Sequence, residues 1–257
     1  EDVDLLTDFC DDNRIRSIAC IDPFLLGEGG LKPPVEFGRS GADFIAGDAQ
    51  HLAIPPNFGG PGLGIFGCRH NDENKSDLRN TPGRYIGQAK DLNGRDCHVM
   101  VLSTREQHIR KEKATSNVCS NQAFLATLAG SSILSQGSKG LGMAVEIANR
   151  NQQKVIDAIE LLDGIEPAFT ENISPSELTI RTEKSSSTLL NNARSADIHL
   201  GIDVSDRIKN RQTSGTLIKL SFSNLHSEQS IDSLISFLQS EFSNTSAKNI
   251  ENTLQSF

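Results

Sequence analysis

Two helical patterns lie back to back in the middle of this chain, and they divide it. Gln122–Leu134 is almost wholly apolar or small, the composition of a helix buried on most sides. From Ala144 onward, Ile147, Ala148, Val155, Ile159 and Leu162 recur every three or four residues, and Gly164 stands where a left-handed residue would cap them. Short strand-like runs precede the pair and a mixed pattern follows. A sheet-and-helix block, two helices and a small α+β block are therefore expected in that order.

Ahead of the helices, Val3, Leu5, Leu6 and Phe9 sit at near-helical spacing, and Ile15–Ile21 is an apolar run stopped by Asp22-Pro23. That reads as helix, then buried strand. No earlier strand is available to pair with it, so an open sheet edge and a longer parent polypeptide are expected. Leu31–Pro34 is a loop by its prolines, and Ala42–Gly47 is the next strand run. Ala53–Gly64 reads as a loop, Ile65–Cys68 as a strand, and Asn71–Asn80 as surface linker or turn. Arg84–Ala89 and Cys97–Ser103 flank Asp91-Leu-Asn-Gly94, whose Asn-Gly step favours a β-hairpin.

Beyond the helices, strands are expected at Glu177–Thr182, near Ile198 and at Thr216–Phe222, with a helix over Ser185–Ala193. A last helix, Glu228–Glu241, turns Ile231, Leu234, Ile235 and Leu238 inward, and a polar tail from Ser243 frays. The expected domains are 1–140, 141–242 and the tail 243–257.

Composition narrows the function. Apolar residues at 36% and charged residues at 23% suit a globular chain rather than a disordered one. A net charge of −8 without a basic stripe argues against nucleic acid as a partner. No apolar run reaches the roughly 18 residues that cross a bilayer, so a membrane partner is not expected and the cytoplasm is. Cys10, Cys20, Cys68, Cys97 and Cys119 are odd in number and contain no Cys-x-x-Cys pair, so they read as reduced thiols. The histidines are scattered without metal-ligand spacing, and no Gly-x-Ser-x-Gly marks a hydrolase.

Three stretches carry candidate chemistry. Arg105–Gln122 packs cations, His108, Cys119 and small polar residues ahead of an apolar helix. Its Arg105, Arg110, Lys111 and Lys113 can hold carboxylate or phosphate, while Thr115, Ser116 and Asn117 can cap the helix and offer donors to a ligand. Taken singly, each charged residue reads more simply as half of a surface ion pair, and Cys119 as an inert thiol. Only the block together supports a pocket wall. Asp22 ends a strand, where a plain Asp-Pro turn is the simpler reading. Gly59-Gly-Pro-Gly-Leu-Gly64 lacks the Lys-Ser/Thr of a phosphate loop; missing side chains there serve turning, or let a backbone or ligand come close.

Together these motifs, with Thr81-Pro-Gly-Arg-Tyr-Ile-Gly87, closely resemble the N-terminal half of the glycine-cleavage P-protein, glycine dehydrogenase (aminomethyl-transferring). Gly62 in place of an aromatic residue, and Arg39-Ser40 as a short insertion, depart from that pattern. The resemblance implies the later part of the large domain of a fold-type I pyridoxal-phosphate (PLP) transferase-like α/β fold, plus its small α+β domain. It places Asp22 opposite a cofactor pyridine nitrogen and puts Gln50 or His51 where a catalytic relative carries its Schiff-base lysine. It makes Gly59 and Gly60, with His108, Lys113, Thr115, Ser116, Asn117 and Cys119, the candidate wall of a pocket or channel. No lysine lies between Lys32 and Lys75, and neither amide nor imidazole forms the imine that an amine forms. The expected cofactor is therefore pyridoxal phosphate held by a lysine-bearing partner half, with glycine as substrate and lipoylated H-protein as acceptor. A catalytically silent scaffold or regulatory subunit is the alternative.

Overall fold

The computed structural model describes residues 2–71, 75–81, 83, 85–101, 106–114, 117, 119–171, 174–208 and 215–242. The chain forms two compact units, Glu1–Leu141 and Gly142–Phe257.

In the first unit, helix α1 (Asp2–Asp12) carries Asp2 and Asp4 in its first turn, where the helix dipole favours carboxylates. Strand β1 (Ile18–Cys20) pairs parallel with β2 (Phe44–Asp48), and β2 pairs antiparallel with β3 (Gly64–Cys68). The order β1-β2-β3 leaves the far side of β1 as a sheet edge. One-turn helix α2 (Gln50–Ala53) follows β2, and a short helix α3 (Lys75–Asn80) forms where only linker or turn was expected. Arg16 bonds Asp77 of this helix at 2.6 Å, a contact across 61 residues that no local pattern reveals. The hairpin is present as β4 (Tyr85–Lys90) and β5 (Asp96–Val101). Asp91 accepts the Asn93 N–H at 2.8 Å and Gly94 takes φ 75°, which together reverse the chain.

After one-turn helix α4 (Gln107–Arg110), the long span α5 (Ser120–Ile159) is two helices in succession. Gly137, at φ 63° and ψ 177°, breaks it. The expectation of a first helix buried on most sides is corrected: Leu125 and Ala129 are buried, but Phe124 is 62% and Leu134 84% exposed. Cover is one-sided. Ala129 and Leu141 meet Ala49 and Leu52, with Phe24, Leu63 and Ile65 packed around them.

The second unit holds a four-stranded antiparallel sheet in the order β6-β7-β9-β8. Its strands are β6 (Ile165–Pro167), β7 (Glu177–Thr182), β8 (Ile202–Asp203) and β9 (Thr216–Ser221); its helices are α6 (Ser186–Ser195) and α7 (Glu228–Glu241). Strand β6 had no strong periodic signal. Ser185 and Ser227 cap the two helices by accepting the N–H groups of Thr188 and Ser230. No strand forms at Ile198: Asp197 adopts φ 59°, and the Ile198 N–H returns to the Ala193 carbonyl at 2.8 Å, closing a Schellman-type cap. Gly164 is left-handed as expected, at φ 80°, yet α5 has already ended at Ile159. Gly164 instead turns the chain into β6. Val155, Ile159, Ile180, Leu189, Ile218 and Leu238 are wholly buried and make the core. Ile231 and Leu238 of α7 point inward as expected, and Phe237 joins them.

Candidate functional site

Parallel strands bring their carboxyl ends side by side, and the crevice outside those ends is where open α/β sheets bind ligands. Cys20 pairs with Ala46, and the Ile21 N–H extends the ladder to the Ala46 carbonyl at 3.0 Å. The approach is close at Gly47, where a Cβ would lie 2.3 Å from the Ile21 carbonyl oxygen. Asp22, just past β1, caps a 3-10 turn at Pro23–Leu26 by accepting the Phe24 N–H at 2.9 Å. Asp48, the last residue of β2, accepts the Gln50 N–H at 3.0 Å and so starts α2.

That turn swings His51 back to β1. Its Nε2 lies 3.0 Å from Asp22 Oδ1 and its Nδ1 lies 3.9 Å from Asp48 Oδ1. The Phe24 ring stands beside it, tilted by 50° with centroids 6.0 Å apart. The bond to Asp22 raises the His51 pKa above its ordinary value, against burial, with the charges of Asp22 and Asp48 assisting. Burial would raise the Asp22 carboxyl, but His51 and the Phe24 N–H outweigh it and hold the group below its usual range. Gln50 turns elsewhere, donating from Nε2 to the Pro55 carbonyl at 3.3 Å. Of Gln50 and His51, His51 is therefore the one that faces Asp22.

The glycine loop is tied to the same strand end, because the Ala49 N–H donates to the Leu63 carbonyl at 2.8 Å. Gly59 takes φ 95° with nothing within 4 Å of where its Cβ would stand. At Gly60 a Cβ would come 2.7 Å from Asn57 Nδ2, which itself donates to the Pro61 carbonyl at 3.0 Å. The left-handed turn suits glycine at position 59, and the close approach of the loop's own Asn57 suits it at position 60, while the space beside Gly59 is open.

The charged stretch folds on itself. The carbonyl of buried Glu106 accepts the N–H groups of Ile109 and Arg110, forming α4, and Lys111 at φ 52° leads into a 3-10 turn at Lys111–Lys113. Asn117 Nδ2 donates to Gln107 Oε1 at 2.7 Å. The Cys119 carbonyl accepts the Ala123 N–H at 3.1 Å as α5 begins. His108, Lys113 and Cys119 are exposed, while Arg105, Thr115 and Ser116 lie outside the described residues.

The structure thus gathers Asp22, Asp48 and His51 into one set, with His108, Lys113 and Cys119 on a separate surface segment. Asp48 and Phe24 escaped the sequence reading, although Asp48-Ala-Gln50 is the pattern of a side chain accepting from the backbone two residues on. Among the described residues no three of His, Cys, Asp and Glu are placed to hold a metal ion, and no helix is long and apolar enough to cross a membrane.

Comparison with known proteins bears on the family and the fold. A probable glycine dehydrogenase (decarboxylating) subunit 1 of Thermoplasma volcanium is 42% identical over 168 residues, which is 65% of this chain and 36% of the relative. The protein of the same description in Alcanivorax borkumensis is 38% identical over 170 residues, covering 66% of this chain and 36% of its own. This chain therefore spans little more than a third of the length of these relatives. An inhibitor-bound crystal structure of glycine decarboxylase (P-protein) of the glycine cleavage system superposes with a TM-score of 0.74 at 25% identity, covering 90% of this chain and 49% of that one. A cysteine desulfurase from Thermococcus onnurineus, at a TM-score of 0.62, 12% identity and 93% and 55% coverage, shares the fold alone. The fold is that of the fold-type I PLP-dependent enzymes. Residues 1–238 match the family described as glycine cleavage system P-protein, and the chain belongs to that family.

Proposed function

We propose that this chain works in the glycine decarboxylase of the glycine cleavage system as the half that carries no Schiff-base lysine. The assembly decarboxylates glycine on pyridoxal phosphate and passes the aminomethyl group to the lipoyl arm of H-protein, in the cytoplasm. A lysine-bearing half, separate or fused, holds the cofactor, and this chain supplies fold support and part of the pocket or channel wall. Subunit 1 in the names of the curated relatives supports a partner subunit.

One observation carries the reading. Strand β2 runs into Asp48-Ala-Gln-His51, with His51 against Asp22 at 3.0 Å and no lysine anywhere from residue 33 to 74. Pyridoxal phosphate does not fit these residues as a covalent ligand, since only an amine forms the required imine. The segment bearing His108, Lys113, Thr115, Ser116, Asn117 and Cys119 is the proposed wall, on the strength of the exposed side chains of His108, Lys113, Asn117 and Cys119 and of its match to the family.

The test is borohydride reduction of the assembled enzyme with cofactor and glycine, followed by peptide mapping. Pyridoxyl label is expected on the partner half; label on a lysine of this chain would overturn the assignment. In the same assembly His108→Ala and Cys119→Ser are expected to lower turnover. Unchanged turnover with normal assembly would remove the wall role.

A further inference from the structure

The lost lysine is only half of what the strand-end crevice shows. We infer that His51 also shuts this crevice against pyridoxal phosphate by taking up the negative charge of Asp22. The inference rests on the proposed function, in which the cofactor belongs to the other half.

An aspartate at this place helps a pyridine ring only by keeping a proton on its nitrogen, which takes an uncompensated carboxylate charge. Here that charge is spent. One oxygen of Asp22 receives both the Phe24 N–H at 2.9 Å and His51 Nε2 at 3.0 Å. Asp48, 3.9 Å from Nδ1, further favours the imidazolium. A pyridine nitrogen arriving at Asp22 therefore finds this oxygen already engaged by His51, and whenever the imidazole is protonated its charge also disfavours a pyridinium at such range. The Phe24 ring flanks the imidazole and packs on the cluster of Ala49, Leu52, Ala129 and Leu141, which fixes the side from which His51 bonds. Lys32, the nearest lysine before the crevice in sequence, is itself paired with Asp4 at 2.6 Å. The Asp22 oxygen is thus taken by His51 in a stretch that also carries no amine.

The experiment is equilibrium dialysis of pyridoxal phosphate against the full chain and three variants. The wild type is expected to show no saturable binding, and His51→Arg, which keeps the cation, should behave the same. His51→Ala should bind up to about fivefold more tightly, because a half-exposed charge-assisted hydrogen bond no longer has to be given up. Adding Asp22→Asn to His51→Ala should abolish that gain. Should the alanine variant fail to fold, His51→Gln, neutral and polar, takes its place. Saturable binding by the wild type at the strength of the alanine variant, no gain in that variant, or a gain that survives Asp22→Asn would each overturn the inference. Borohydride-fixed label on the wild-type chain is a different result and counts against the proposed function instead.

Discussion

Gly47→Ala tests whether the spacing of β1 and β2, and hence the site, depends on a missing side chain. The new Cβ would lie 2.3 Å from the Ile21 carbonyl oxygen, whereas real Cβ contacts essentially never fall below 3.0 Å, so the strands must part by about 0.7 Å. The bond from the Ile21 N–H to the Ala46 carbonyl, now 3.0 Å, then stretches beyond useful range. Losing it costs about 0.5–1.5 kcal/mol, and overpacking strain adds roughly 1–3 kcal/mol. Against this, alanine restricts the unfolded chain and returns about 0.4–1 kcal/mol. A net loss near 2–3 kcal/mol is expected, a large part of the roughly 5–15 kcal/mol that holds a typical domain. Gly67→Ala in β3 is the control, since its Cβ would meet Ile45 Cβ at an ordinary 3.8 Å. Denaturant unfolding of both variants reads the difference, and hydrogen exchange at the Ile21 amide reports the opening directly. If the two variants unfold within about 0.5 kcal/mol of each other, a difference too small for a backbone clash, the reasoning fails.

Stability should also carry the signature of the His51–Asp22 pair. His51 is raised, so its share is complete below its ordinary 6.5 and disappears as pH climbs through the folded value. Asp22 is lowered, so its share is complete above its ordinary 3.8 and disappears as pH falls through the folded value. The contribution therefore peaks between those two pH values. Both side chains are 43% exposed, so it stays within about 1 kcal/mol; unfolding midpoints across this range should flatten in Asp22→Asn, and an unaltered profile would count against the pair. In the second unit, Leu189 is wholly buried, and Leu189→Ala should cost about 2–5 kcal/mol in chemical denaturation. A smaller loss would mean that the core around it collapses into the gap.

Local chemistry explains what could be read ahead of the structure. The hairpin follows from Asn93-Gly94, strand β7 from alternation along Glu177–Thr182, and α7 from its inward stripe after a serine cap. Each depends on neighbours within a few residues, which sequence displays directly. The misses share a cause as well. The Schellman cap at Asp197 outcompetes a strand at Ile198, and the contact of Arg16 with Asp77 anchors a helix that has no periodic signal. The apolar composition of Gln122–Leu134 records a capacity for burial, but how much is buried depends on which surfaces meet it.

The candidate site divides along the same line. Sequence alone determined that no lysine lies between Lys32 and Lys75, that Asp22 stops a strand, and that the run 105–122 resembles the P-protein family, because identity and order of residues suffice for each. Only the tertiary structure decided that His51 rather than Gln50 faces Asp22, that Asp48 completes the set, and that Asn57 comes close to Gly60. Asp22 and His51 are 29 positions apart, and what brings them to hydrogen-bonding distance is the parallel register of β1 on β2. Register is a property of two paired strands, and neither strand's local pattern contains it.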